Sequence, residues 1–127
     1  MLTTRYDDAL VFASDLHRTQ FRKGSDIPYL SHLLSVSALV LKNGGDEDQA
    51  IAGLLHDAVE DQGGAATLDK IRHRFGDRVA DFVADATDSW SDPKPPWRER
   101  KEAYIASIPA RSRESLLISL ADKTDNA

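Results

Sequence analysis

The chain has 127 residues, 41% apolar and 29% charged, which suits one domain with a single core. It contains no cysteine, so disulfides, thiolate metal sites and cysteine nucleophiles are excluded, and any metal must be held by histidine nitrogen and carboxylate oxygen. A net charge of −5 argues against general nucleic-acid binding, and no apolar run approaches the ~18 residues of a membrane span.

Apolar residues recur at helical spacing nearly everywhere, and no segment alternates convincingly at period two. The acid-interrupted N-terminus does not read as a secretory signal, so a cytoplasmic protein is expected. The spacing of Tyr6, Ala9, Leu10, Ala13 and Leu16 predicts a first helix over about 6–19, with Thr4 and Asp7 as a capping pair. A glycine-containing loop follows, and Pro28 opens a second helix through Leu30, Leu33, Leu34, Val40 and Leu41 to Gly44-Gly45. A third helix is expected from Asp46 to the Gly63-Gly64 pair, a short fourth capped by Thr67 and closed by Gly76, and a fifth from Asp77. SDPKPP at 91–96 is a surface loop, after which helices are expected around Trp97 to Ser107 and from about Ser112 to the end. The fold class is all-α, a bundle of about seven helices in one domain spanning 1–127.

Charge is uneven along this bundle. Between Lys94 and Arg113 six basic residues face two acids, a net of +4 in a chain of −5. An acidic protein with one basic segment suits an anionic small molecule better than a long polyanion. A solvated helix face is the competing explanation of the same residues.

The segment GLLHDAVED at 53–61 carries the strongest chemical pattern. On one continuous helix His56 faces Glu60, and Asp57 faces both Glu60 and Asp61. Wedged between apolar positions, these carboxylates would repel one another and lose hydration, and a divalent cation relieves both costs. A solvated polar face with an incidental histidine is the alternative. Adjacent helical residues diverge by about 100°, so further ligands must come from other helices. His32 in PYLSHLLSV is one candidate, although a histidine there can equally be a hydrogen-bonded core residue. Asp122 in SLADKTDNA is another, sharing a helix face with Asn126, with Asp125 between them.

HRTQFRKGSDIPYLSHLLSV at 17–36, AGLLHDAVEDQG at 52–63, and the run from ATDSWSDPKPPWRERKEAYI to SLADKTDNA together resemble the HD superfamily of metal-dependent phosphohydrolases. Within it they are most similar to the guanosine-3′,5′-bispyrophosphate hydrolase branch, in its small single-domain form. The resemblance implies His32, His56, Asp57 and Asp122 as ligands of one divalent metal, commonly Mn²⁺, a donor set that Zn²⁺, Fe²⁺ or Ni²⁺ would also accept. It implies Glu60 and Asp61 as the catalytic acid pair. Arg22, Lys23 and Asn126 would contact the nucleotide, with Lys94, Arg98 and Lys101 toward its phosphates. The reaction implied is release of the 3′-pyrophosphate of guanosine tetra- or pentaphosphate. Alternatives are an HD phosphohydrolase or nucleotidase for another nucleotide, and a non-catalytic HD domain that binds nucleotide or metal. Trp90 and Trp97 read as packing residues, His17 as a hydrogen-bonding neighbour of the motif, and His73 as surface.

Relatives of this type continue beyond the position of Asn126, whereas the sequence ends at Ala127. A C-terminally shortened bundle is therefore expected, with Asp122 loosely held near a fraying helix end. Such a chain would be a short variant, a truncated piece, or a protein that completes itself as a homo-oligomer.

Overall fold

The computed structural model describes residues 1–87, 98 and 113–127. Among these the regular structure is entirely helical: α1 (Thr4–Leu16), α2 (Leu30–Lys42), α3 (Glu47–Leu55), α4 (Ala58–Asp61), α5 (Gly64–Phe75), α6 (Asp77–Ala86) and α7 (Arg113–Asn126). The expected helix at 97–107, apart from Arg98, and the SDPKPP loop lie outside the described residues. No helix among the described residues is long and apolar enough to cross a membrane.

Four local expectations are corrected. The cap of α1 is Thr3, one residue earlier than the Thr4 expected, and its hydroxyl accepts from the Arg5 amide. Thr67 does not begin α5. That helix starts at Gly64 after the left-handed Gly63 (φ 109°), and the Thr67 hydroxyl instead donates back to the Gln62 carbonyl at 2.5 Å. A Cβ at position 63 would sit 2.4 Å from Thr67 Oγ1, so the turn needs glycine on two counts. Finally, the third helix is not continuous: it ends at Leu55, and α4 begins at Ala58. Pro28 starts a turn rather than α2 itself. The 20–29 loop folds back so that Phe21 and Pro28 form an isolated bridge, and Tyr29 N bonds Gln20 O at 2.9 Å.

Helix α3 is the centre of the fold. Its run QAIAGLL is buried from Gln49 to Leu55, and it packs on α1, α2, α6 and α7. Asp46 and Gln49 close its start with a reciprocal capping box. α2 and α3 form a hairpin through a four-residue connection that includes Gly44 at φ 88°. Their contact is close because residue 53 is glycine: a Cβ there would lie 3.2 Å from Ser37 Cα. Ser37 closes the same contact, donating to Ala50 O at 2.8 Å and sharing a 2.6 Å hydrogen bond with Tyr6 Oη. Antiparallel pairing brings the start of α2, with His32, to the end of α3, with His56. α7 runs parallel to α3: Gln49 Nε2 donates to Glu114 O near one end, and His56 meets Asp122 near the other. Three helix ends therefore converge on one spot.

Candidate metal centre

At that spot His32 Nε2 lies 3.0 Å from Asp122 Oδ1 and 3.7 Å from Asp57 Oδ2. His56 Nε2 lies 3.0 Å from Asp57 Oδ2 and 3.2 Å from Asp122 Oδ1. The helix break explains how His56 and Asp57, adjacent in sequence, reach one point. The chain leaves helical hydrogen bonding at His56-Asp57, with Asp57 at φ −99° and ψ 0°, before resuming as α4. The expectation that His56 and Asp57 share an unbroken helix with Glu60 and Asp61 is thus corrected.

The second nitrogen of each imidazole is committed elsewhere. His56 Nδ1 donates to the Gly53 carbonyl at 2.7 Å, and His32 Nδ1 donates to Asp125 Oδ2 at 2.6 Å. Both rings, each 2% exposed, therefore turn Nε2 toward the two carboxylates. One donor atom from each of His32, His56, Asp57 and Asp122 lies within 4.8 Å of all the others. Donors about 2.0–2.5 Å from a shared cation lie up to about 4–5 Å apart, so the set fits one ion. Two nitrogens and two oxygens without sulfur fit borderline divalent metals. An Nε2 this close to a carboxylate oxygen is held by a proton or a cation between them, and a divalent cation replaces two such protons at equal charge.

The electrostatics agree. Burial by itself would lower the His56 pKa, but the Asp57 charge and the hydrogen bonds to Asp122 and Asp57 raise it well above 6.5. Burial would raise the Asp57 carboxyl, yet the His56 charge and bonds from His56 and Tyr29 hold it at about 2. Asp122 is likewise held well below the ordinary carboxylate range, against its burial, by bonds from His32 and His56. Tyr29, which sequence reading missed, donates to Asp57 Oδ2 at 2.5 Å. Burial and the Asp57 charge push its phenol upward, so it stays a donor.

These shifts predict a pH dependence for the metal-free protein. The raised His56 contributes stability that is complete below pH 6.5 and is lost as pH rises through its folded pKa. The depressed Asp57 contributes stability that is complete above pH 3.8 and is lost as pH falls toward about 2. In chelator, the melting temperature should fall from pH 6 to pH 9. Added Mn²⁺ should raise it more at the higher pH, because protons then compete less for the same nitrogens. A flat or rising apo profile would contradict the assignment.

A cleft of about 180 Å³ opens beside the cluster, lined among others by Tyr29, His56, Asp57, Glu60, Asp122, Lys123 and Asn126. Glu60 faces it, whereas Asp61 is held from the side: Gln20 Nε2 donates to Asp61 Oδ2 at 3.2 Å. The Gln20 carbonyl oxygen accepts from His17 Nδ1 at 2.7 Å and from Gln62 Nε2 at 2.8 Å, which orients the amide. His17 thus bonds within the motif as expected, and it also stacks on Tyr29 at 5.5 Å between centroids. Arg22 reaches the rim, donating to Asn126 Oδ1 at 2.9 Å with its guanidinium 6.0 Å from the Tyr29 ring centre, and Asn126 Nδ2 donates to Asp122 at 3.1 Å. Asp122 is therefore held by four hydrogen-bonding side chains, those of His32, His56, Asn126 and Lys123, contrary to the loose attachment expected of it. Lys23 is exposed in the Arg22 loop, and Arg98 and His73 are exposed. Lys94, Lys101, Trp90 and Trp97 lie outside the described residues. Sequence reading did not single out Gln20, Gln62, Lys123, Asp125 or Tyr29. Only the spacing of Tyr29 to His32 and of Asp122 to Asp125, three residues each, hinted that they share a helix turn with a ligand.

Residues 9–127 match the family model described as the HD domain. The chain belongs to the HD-domain family. Guanosine-3′,5′-bis(diphosphate) 3′-pyrophosphohydrolase MESH1 of Xenopus tropicalis is 37% identical over 122 residues, which cover 94% of this chain and 65% of that protein. MESH1 of Drosophila melanogaster is 35% identical over 127 residues, covering 98% of this chain and 68% of its own. A guanosine-3′,5′-bis(diphosphate) 3′-pyrophosphohydrolase of Aquifex aeolicus is 36% identical over 93% of this chain, which spans 16% of that longer protein. Among solved structures, a metazoan ortholog of SpoT, described as hydrolysing ppGpp and acting in starvation responses, superposes with a TM-score of 0.87 at 32% identity. That match covers 99% of this chain and 70% of the other. A protein of Listeria monocytogenes covers 78% of this chain and 60% of its own, at a TM-score of 0.66 and 40% identity.

Proposed function

We propose that this HD domain hydrolyses the 3′-pyrophosphate of guanosine tetra- or pentaphosphate, yielding GDP or GTP and pyrophosphate, with His32, His56, Asp57 and Asp122 holding a divalent metal. The observation that carries the reading is the convergence of two Nε2 atoms and two carboxylates at the edge of a cleft that Glu60 also lines. The pyrophosphohydrolase activity for which the MESH1 relatives are named supports the substrate. Mn²⁺ is the metal we assign, on the nitrogen–oxygen donor set, and the cytoplasm is the compartment we assign to a nucleotide-directed activity. Bound there, such an ion acidifies water and polarises a phosphoryl oxygen.

The chain's own groups do the rest. Glu60 takes the proton of the attacking water, whose oxygen bonds the phosphorus next to the 3′ oxygen as that ester bond breaks, and the leaving 3′ oxygen takes a proton from solvent to become the hydroxyl. Asp61, steadied by Gln20, orients the water from the other side. Arg22 offers its planar guanidinium to the base beside Tyr29, Asn126 faces the sugar, and Lys23 supplies a point charge for phosphate. Lys94, Arg98 and Lys101 complete the phosphate contacts in this reading.

Hydrolysis assays with Mn²⁺ test it, using guanosine tetraphosphate, its adenine counterpart, a deoxynucleoside monophosphate and NADPH, with pyrophosphate and phosphate measured separately. Pyrophosphate from the guanine compound alone is expected. Phosphate from the monophosphate would assign the protein to nucleotidase chemistry instead. Glu60→Gln and Asp61→Asn should each lower turnover by about 10²–10⁴-fold while calorimetry shows Mn²⁺ still bound. Unchanged turnover in both would remove the acid pair from the mechanism.

A further inference from the structure

We propose that Asp125 is a positioning residue for His32, anchoring its imidazole so that Nε2 is presented to the metal; the inference rests on the metal-site reading above. Asp125 Oδ2 lies 2.6 Å from His32 Nδ1. A carboxylate can only accept, so the ring's proton is fixed on Nδ1 and its other nitrogen faces Asp122 at 3.0 Å and Asp57 at 3.7 Å. Asp122 and Asp125 stand three residues apart on α7, so one helix turn grips the buried ring at both nitrogens. This is the arrangement in which an outer carboxylate both orients a ligating histidine and increases its basicity.

The two histidines differ in this respect. His56 is oriented by the Gly53 carbonyl, a neutral backbone group built into α3, whereas His32 depends on a charged side chain supplied by a different helix. The Asp125 side chain is 25% exposed, so truncating it leaves no sealed hole, and the variant is expected to fold.

The test is Mn²⁺ binding by calorimetry to wild type, Asp125→Ala and Asp125→Asn, joined to ¹H–¹⁵N spectra of the Zn²⁺-loaded proteins. Asp125→Ala should weaken Mn²⁺ roughly 10–100-fold and abolish the downfield His32 Nδ1–H resonance. Asp125→Asn, whose carbonyl oxygen can still accept, should weaken it by roughly three- to tenfold and move that resonance upfield. If Asp125 merely ties α7 to α2, its removal will lower the metal-free melting temperature and leave the Mn²⁺ dissociation constant within twofold of wild type. That outcome overturns the inference. Should Asp125→Ala not fold, Asp125→Asn decides by the same two readouts, and a wild-type constant overturns the proposal. A wild-type protein that binds no divalent ion overturns the metal reading and this inference together. Wild-type binding that Asp125 variants leave untouched overturns this inference alone.

Discussion

Asp57→Ala is expected to reduce Mn²⁺-dependent hydrolysis by about 10³-fold or more, on the order of 4 kcal/mol of transition-state stabilisation. Asp57 Oδ2 is the common acceptor of the Tyr29 phenol at 2.5 Å and of His56 Nε2 at 3.0 Å, and it faces His32 Nε2 at 3.7 Å. Its removal takes one of the two carboxylates from a cluster whose histidines are buried. The remaining set of two imidazoles and one carboxylate carries a single formal negative charge against a divalent ion. The loss should therefore appear in metal affinity as well as in turnover. kcat/KM at saturating Mn²⁺, with the dissociation constant measured separately, distinguishes the two contributions. Activity above a tenth of wild type, with the metal bound, would take Asp57 out of the ligand set. Circular dichroism verifies that the variant is folded, since Asp57 also partners the buried His56 whose pKa it raises.

The largest stability effect is expected in α3. Leu54 is fully buried in the helix that packs on α1, α2, α6 and α7. Leu54→Ala removes apolar burial and leaves a cavity that four surrounding helices cannot readily close, a loss of about 2–5 kcal/mol. Against a total stability of about 5–15 kcal/mol this is severe, and the melting temperature should drop by roughly 10–20 °C. Urea unfolding followed by circular dichroism measures it. Leu34→Ala is the matched control: its side chain is 43% exposed, so its loss should stay near or below about 1 kcal/mol. Equal losses at the two positions would contradict the central placement of α3. Because His56 follows the end of this helix, Leu54→Ala should also weaken Mn²⁺ binding, an effect Leu34→Ala should lack.

Much of this architecture is legible in the residues taken singly. The helical period, the Asp46 cap, the glycine pairs and the absence of alternation identify an all-α chain, because those signals act within a few residues of one another. Where reading failed, the missing information was a neighbour rather than a propensity. Nothing local at 56–57 announces a helix break: HDAV is compatible with helix, and the interruption is held by His56 bonding Gly53 and by Asp57 turning toward His32, 24 residues earlier than His56. Thr67 has the side chain of a cap, but Gly63 had already opened the turn and left the hydroxyl to satisfy Gln62.

The candidate site divides along the same line. His56-Asp57 with Glu60 and Asp61 is visible because a cluster of ionisable groups within apolar sequence has an electrostatic cost that a reader can recognise without coordinates. His32, Asp122 and Asn126 are visible as candidates on helix faces, and the family resemblance orders them. Their meeting is a consequence of packing. The small residues Gly53, Ser37 and Ala50 let α2 lie close against α3, and the parallel register of α7 places Asp122 between two imidazoles. The supporting groups Tyr29, Gln20 and Asp125 are ordinary polar residues in the sequence. Their roles come from hydrogen bonds spanning 28, 41 and 93 residues. By itself the sequence determined the helical class, the donor types a metal could find and the acid pair beside them, since composition and short-range spacing carry that information. Only the tertiary structure decided which nitrogen of each histidine faces the carboxylates and what holds it there, because that choice depends on partners that folding alone brings within 3 Å.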